Sequence, residues 1–116
     1  MSQALPPTPA LAELAAMIGP SEAQALARVF LQDTADLIDT LAAPSSTAIT
    51  PSPHLIAAHN LKSTAHLIGA YELSTHARDL ELRLKSGGSA PTRTEVDALG
   101  ADYQRIQQLL ARFVSG

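Results

Sequence analysis

Ala58-His59-Asn60-Leu61-Lys62-Ser63-Thr64-Ala65-His66-Leu67-Ile68-Gly69-Ala70 is the stretch whose reading decides how this chain folds. At about 100° per residue, with His59 placed at zero, Ala57, Leu61, Thr64, Ala65 and Ile68 fall between about 140° and 240°. They form an apolar arc opposite His59. Lys62 at about 300°, His66 at about 340°, Ala70 at about 20° and Ser63 at about 40° share the side that carries His59. The stretch reads as an amphipathic helix that buries one face and holds a histidine, a lysine and small residues toward water.

Upstream, Ser52-Pro53 offers an N-cap followed by proline at the first helical position, so this helix is expected from Pro53 to about Gly69. Pro44 to Pro51, rich in Ser, Thr and Pro, reads as a loop. Before it, Ser21 with Gln24 three residues on suggests a capping box. Leu26, Phe30, Leu37 and Leu41, with Val29 and Ile38 beside them, continue at helical period to about Ala43. Leu11, Leu14, Ala15 and Ile18 predict a short helix from Ala10, stopped by Gly19-Pro20. Pro6, Pro7 and Pro9 make residues 1–9 a flexible tail.

Downstream, Leu73, Ala77, Leu80 and Leu84 predict a further helix antiparallel to the first-quoted one and ended by Ser86-Gly87-Gly88-Ser89. Val96, Leu99, Tyr103, Ile106, Leu110 and Phe113 predict a last helix from about Pro91 to Val114, with Gly100 inside it. Four apolar stripes on long helices joined by short loops are buried most economically in an all-α, antiparallel up-down-up-down four-helix bundle. The expected organisation is that bundle over residues 10–116 with a short additional N-terminal helix.

Composition agrees with this class. Of 116 residues, 46% are hydrophobic and 16% charged, which fits a globular core rather than a disordered chain. Aromatic residues are scarce, with two Phe, two Tyr and no Trp, so Leu, Ala, Ile and Val carry the apolar mass, as packed helices do. The absence of Cys excludes disulfides, thiolate metal sites and thiol nucleophiles. A net charge of −3 argues against nucleic acid, and no apolar run approaches the roughly 20 residues that span a bilayer. Nor does Met1 to Ala10 have the cationic and apolar regions of a secretory signal. A cytoplasmic protein is expected.

The outward face of the quoted helix suits nucleophilic chemistry. An imidazole in water is largely neutral at pH 7, so its bare nitrogen can attack a phosphoryl group. Lys62, one turn on, can neutralise phosphoryl oxygens. The chain has no Gly-rich phosphate loop and no kinase signature, so ATP is not expected as a direct substrate.

Ala58, His59, Leu61 and Lys62, then Ile68-Gly69-Ala70, then Leu73 with Leu80-Glu81 resemble the pattern of histidine-containing phosphotransfer (HPt) domains over about 25 contiguous residues. That pattern reads alanine-histidine-any-leucine-lysine-glycine-serine, a leucine-glycine-alanine, and a leucine with a leucine-glutamate pair seven residues further on. Ser63 and Thr64 depart from it where glycine and a small hydroxyl residue are usual, and His66 is not part of it.

The resemblance implies a phosphorelay intermediate. His59 would accept a phosphoryl group from a receiver-domain aspartate and pass it to another, with Lys62 as phosphate partner and Glu81 orienting His59. Ser63, His66, Gly69 and Ala70 would dock on the first helix of a response-regulator receiver, one carried by a hybrid sensor kinase included. The domain would need no cofactor of its own, since the receiver brings Mg²⁺, and would be monomeric.

Plainer readings stand beside these. Glu81 can simply pair with Lys85 at i,i+4. His66, two turns from His59 and roughly 10 Å away, is too far to share one metal ion with it. His54 in a first helical turn reads as structural, and His76 as partly buried. A binding module that regulates a receiver or kinase without carrying phosphate is the alternative function. A metal-binding bundle would need Glu-x-x-His pairs that the sequence lacks.

Overall fold

The computed structural model describes residues 6–44 and 52–115, and these form five helices and no strand. They are α1 (Pro9–Ile18), α2 (Pro20–Ala42), α3 (Pro53–Leu67), α4 (Tyr71–Lys85) and α5 (Arg93–Ser115). None of them is long and apolar enough to cross a membrane.

Helix ends follow local chemistry, and at three places they shift from the expectation. First, α1 begins at Pro9 because the Thr8 hydroxyl accepts the Leu11 amide at 3.1 Å, a side-chain N-cap with proline at the first helical position. Thr8 is buried, so packing reaches into the segment read as a tail, of which residues 1–5 lie outside the described residues. Second, Ser21 is not a cap. Gly19 takes φ +95°, a conformation that side chains resist, and turns the chain so that Pro20 starts α2 two residues after α1 ends. Third, α3 stops at Leu67. The Ala70 amide donates to the Ala65 carbonyl at 2.8 Å and the Gly69 amide to the His66 carbonyl at 3.1 Å, the two bonds of a Schellman ending.

At α5, Thr92 and Glu95 form a reciprocal capping box. The Glu95 amide donates to the Thr92 hydroxyl at 3.1 Å and the Thr92 amide to the Glu95 carboxylate at 2.9 Å. The expected loop at Pro44–Pro51 falls, from residue 45 on, outside the described residues.

Leu41, Leu61, Leu73, Leu80, Leu99, Leu110 and Phe113 are buried together with Phe30 and Ile68, and α1 contributes Leu11. Each such side chain supplies about 1.5–3 kcal/mol by leaving water. Buried Ala23, Ala27, Ala57, Ala58, Ala65 and Ala77 leave little bulk between helix backbones. Val29, placed beside the apolar stripe by spacing alone, is exposed.

In this packing α2 lies against α3 and α5, α4 against α3 and α5, and α1 against α2. Polar cross-links give the register. The Arg28 Nε donates to the Val114 carbonyl at 2.8 Å, joining the start of α2 to the end of α5. Tyr103 donates its hydroxyl to the Leu31 carbonyl at 3.1 Å. His54 is buried and its Nε2 donates to the Ala43 carbonyl at 2.9 Å, which ties the start of α3 to the end of α2 and gives this histidine a structural role. Arg83 binds both oxygens of Glu95, with Nη1 at 2.5 Å and Nη2 at 2.6 Å, fastening the end of α4 to the start of α5.

Candidate functional site

His59 projects from the middle of α3 with its ring 56% exposed, while the Glu81 side chain on α4 is 2% exposed. A carboxylate at that depth requires partners, and it has them on both oxygens. Nδ1 of His59 is 2.5 Å from Oε2, and Nζ of Lys62 is 2.6 Å from Oε1. Lys85, at 3.7 Å from Oε2, adds the i,i+4 pair, so the two readings of Glu81 hold together. The Lys62 ammonium, above all, holds the Glu81 carboxyl below its ordinary value of 4.5. Burial works the other way, and the His59 bond adds to the lowering.

An ionised carboxylate only accepts hydrogen bonds, so Nδ1 carries a hydrogen, and in the neutral form of the ring Nε2 keeps its lone pair. The ring is thereby fixed in one tautomer with its bare nitrogen on the exposed side. Local packing supports the placement. Buried Ala58 and Leu61 seat α3 on the core on either side of His59, and the Ser74 hydroxyl donates to the Lys62 carbonyl at 2.9 Å across the α3/α4 contact.

The remaining expected site residues separate into two groups. Ser63 and His66 are exposed on the His59 side, with the Ser63 hydroxyl donating to the His59 carbonyl at 3.2 Å and the His66 ring 5.3 Å from that of Tyr71. A cleft of about 600 Å³ beside them is lined by Lys62, Ser63, His66, Ser74, Thr75 and Arg78. Ala70, in contrast, is not on the outward face. The helix ends at Leu67, so its 100° projection does not extend to residue 70, which is buried at the start of α4.

Gly69 also turns inward, toward α1. It adopts φ +85°, and a Cβ there would stand 3.1 Å from the Thr8 side chain, whose hydroxyl donates to the Ile68 carbonyl at 2.7 Å.

A family model for the Hpt domain matches residues 25–111, most of the chain. The chain belongs to the Hpt domain family. Comparison with curated proteins and with solved structures gave no match. Membership in the Hpt family carries a phosphotransfer role in a two-component phosphorelay, and Hpt domains interact there with receiver domains. The all-helical fold agrees with the helical Hpt fold.

Spacing alone missed two groups. Arg78 joins Lys62 at the cleft from the neighbouring helix. Asp102, buried on α5, accepts from Nδ1 of His76 and from Nη2 of Arg105. The signal for Asp102 was present, since it falls in period with Leu99, Ile106 and Phe113, where a charge needs an explanation. His76, expected to be partly buried, is exposed instead, its ring 48% accessible and anchored through one nitrogen at the α4/α5 contact.

Proposed function

We propose that this chain is the phosphoryl carrier between two receiver domains, with Nε2 of His59 as the acceptor atom. The observation that carries this reading is the bond from His59 Nδ1 to the buried Glu81, because it leaves the nucleophilic nitrogen bare and outward. In the forward step the Nε2 lone pair attacks the phosphorus of a receiver aspartyl phosphate. A P–N bond forms, the P–O bond to the aspartate breaks, and that aspartate leaves as a carboxylate. The imidazolium produced keeps its Nδ1 hydrogen on Glu81, which stabilises the charge that develops. Transfer to the second receiver is the reverse.

Lys62 offers further N–H donors besides the one on Glu81, and these meet the phosphoryl oxygens. Ser63 and His66 lie at the docking face, and Gly69 and Ala70 shape the turn behind it. Mg²⁺ belongs to the receiver in this reading, and nucleotide chemistry lies elsewhere in the relay. The supporting architecture is a monomeric antiparallel up-down-up-down bundle. Cross-links Arg28 to Val114, Ser74 to Lys62 and Arg83 to Glu95 each join the early part of one helix to the late part of its neighbour. The cytoplasm is the compartment that suits such a relay.

The test is label transfer from phosphorylated receiver domains to the wild-type chain and to His59→Gln, with ATP alone as a control. The expected result is an acid-labile, base-stable label on wild type only. Binding of a receiver without transfer, or a receiver-derived label that survives His59→Gln, would overturn the reading. The first of these outcomes favours a regulator that binds without carrying phosphate.

A further inference from the structure

We propose that Nε2 of His76 is a second phosphoryl-accepting nitrogen of this chain, open to small donors such as phosphoramidate or an acyl phosphate. The proposal does not depend on His59. It rests on the group of side chains that joins α4 to α5. Asp102 sits on the buried stripe of α5 with its side chain 2% exposed, and it takes Nδ1 of His76 on Oδ2 and Nη2 of Arg105 on Oδ1. A carboxylate accepts and does not donate, so Nδ1 of His76 carries a hydrogen, and in the neutral form of the ring Nε2, on a side chain that is half exposed, holds the lone pair. The parts are those found at His59: an exposed imidazole, a buried carboxylate from the next helix, and a cation on the second oxygen.

Surroundings set the class of donor. The ring borders two clefts, of about 280 Å³ with Tyr71, Glu72 and Thr75, and of about 140 Å³ with Asp79, Leu80 and Leu99. Both are small and open, with room for a compact phosphoryl donor beside the ring. Arg105 is more than half exposed and presents further N–H groups beside the carboxylate, where phosphoryl oxygens can meet them. Glu72 and Asp79, one turn to either side of His76 on α4, and Glu95 across the smaller cleft oppose an anionic donor, although Glu72 lies 3.6 Å from Arg105, Asp79 3.6 Å from Arg78, and Glu95 is held by Arg83. A rate below that of His59 follows.

The step balances as it does at the first site. The Nε2 lone pair attacks phosphorus, the P–N bond of phosphoramidate or the P–O bond of the acyl phosphate breaks, and ammonia or a carboxylate leaves. The new imidazolium keeps its Nδ1 hydrogen on Asp102.

The experiment treats the whole chain with potassium phosphoramidate and, in a second arm, with acetyl phosphate, and maps phosphohistidine at each position over time. His66 is the internal standard, since it is exposed and no carboxylate bonds its ring among the described residues. Expected is the order His59, then His76, then His66, with His76 about tenfold faster than His66. Asp102→Asn should bring His76 down to the His66 rate while His66 stays unchanged, a response that loosened packing alone does not produce. His76 no faster than His66 in wild type would overturn the proposal, whether or not the variant folds. So would an undiminished His76 rate in a folded Asp102→Asn.

Discussion

On the α3/α4 face, His59 leans on Glu81 beside Lys62 and Ser63; on the α4/α5 face, His76 leans on Asp102 between Glu72 and Asp79. The carboxylate does the same work in both, holding Nδ1–H and leaving Nε2 bare. What differs is the charge around the bare nitrogen and the room in front of it. Lys62 and Ser63, next to the first ring on α3, open onto a broad cleft with two cations, and the second ring lies between small clefts bordered by acids. Orientation by a buried acid makes an imidazole available, and the neighbouring charges decide which phosphoryl donors can approach.

The largest expected effect breaks the comparison at its chemistry. His59→Gln should cut receiver-derived labelling by more than about 1000-fold, since the group that forms the bond is removed. The same variant should still take label from phosphoramidate at His76. Phosphopeptide mapping of the two reactions checks both outcomes.

Next come the cations. Arg105→Met deprives buried Asp102 of one of its two partners and should cost about 2–3 kcal/mol by urea unfolding. Lys62→Met should cost about 1–2 kcal/mol, because Lys85 stands 3.7 Å from Glu81 as a reserve. Equal losses would mean that Lys85 gives Glu81 no reserve.

Acid stability tests the first face and, separately, the Arg83–Glu95 clamp, and the two losses have the same sign. Glu81 has its carboxyl lowered in the folded chain, chiefly by Lys62, so its contribution is present above the ordinary value of 4.5 and is lost as pH falls below it. Lys62→Met should flatten that acid limb. Glu95, held at about 2 mainly by Arg83, adds its own loss between 4.5 and about 2, and Arg83→Gln should remove it. Urea midpoints measured from about pH 6 down to about pH 2 give both slopes. The smallest effect belongs to Ser63→Gly. It should lower stability by about 0.5–1 kcal/mol through helix propensity, with the His59 label retained.

Much of the first face could be read from the chain because its parts are adjacent. Ala58 to Lys62 lies within two helical turns, and Glu81 falls in the stripe of Ala77 and Leu84 on the next helix. The second face joins His76 to residues 26 and 29 positions away, and no local period links them. Ala70 misled because a helical wheel has no end, whereas the Schellman bonds at Ala65 and His66 close α3 at Leu67. Ser21 and Gln24 have the spacing of a capping box, but the turn that Gly19 makes before Pro20 places Ser21 inside α2. Thr8, read as tail, needed the distant Ile68 carbonyl to explain its burial.

The proposed mechanism puts the phosphoryl group on Nε2 of His59 while Nδ1 stays on Glu81. Nitrogen-15 and phosphorus-31 NMR of the chain phosphorylated by a receiver tests it most directly, by showing which ring nitrogen is coupled to phosphorus. Coupling to Nε2 of His59, with Nδ1 still protonated, is the expected result. Phosphorus coupled to Nδ1, or receiver-derived label on any other side chain, would contradict it.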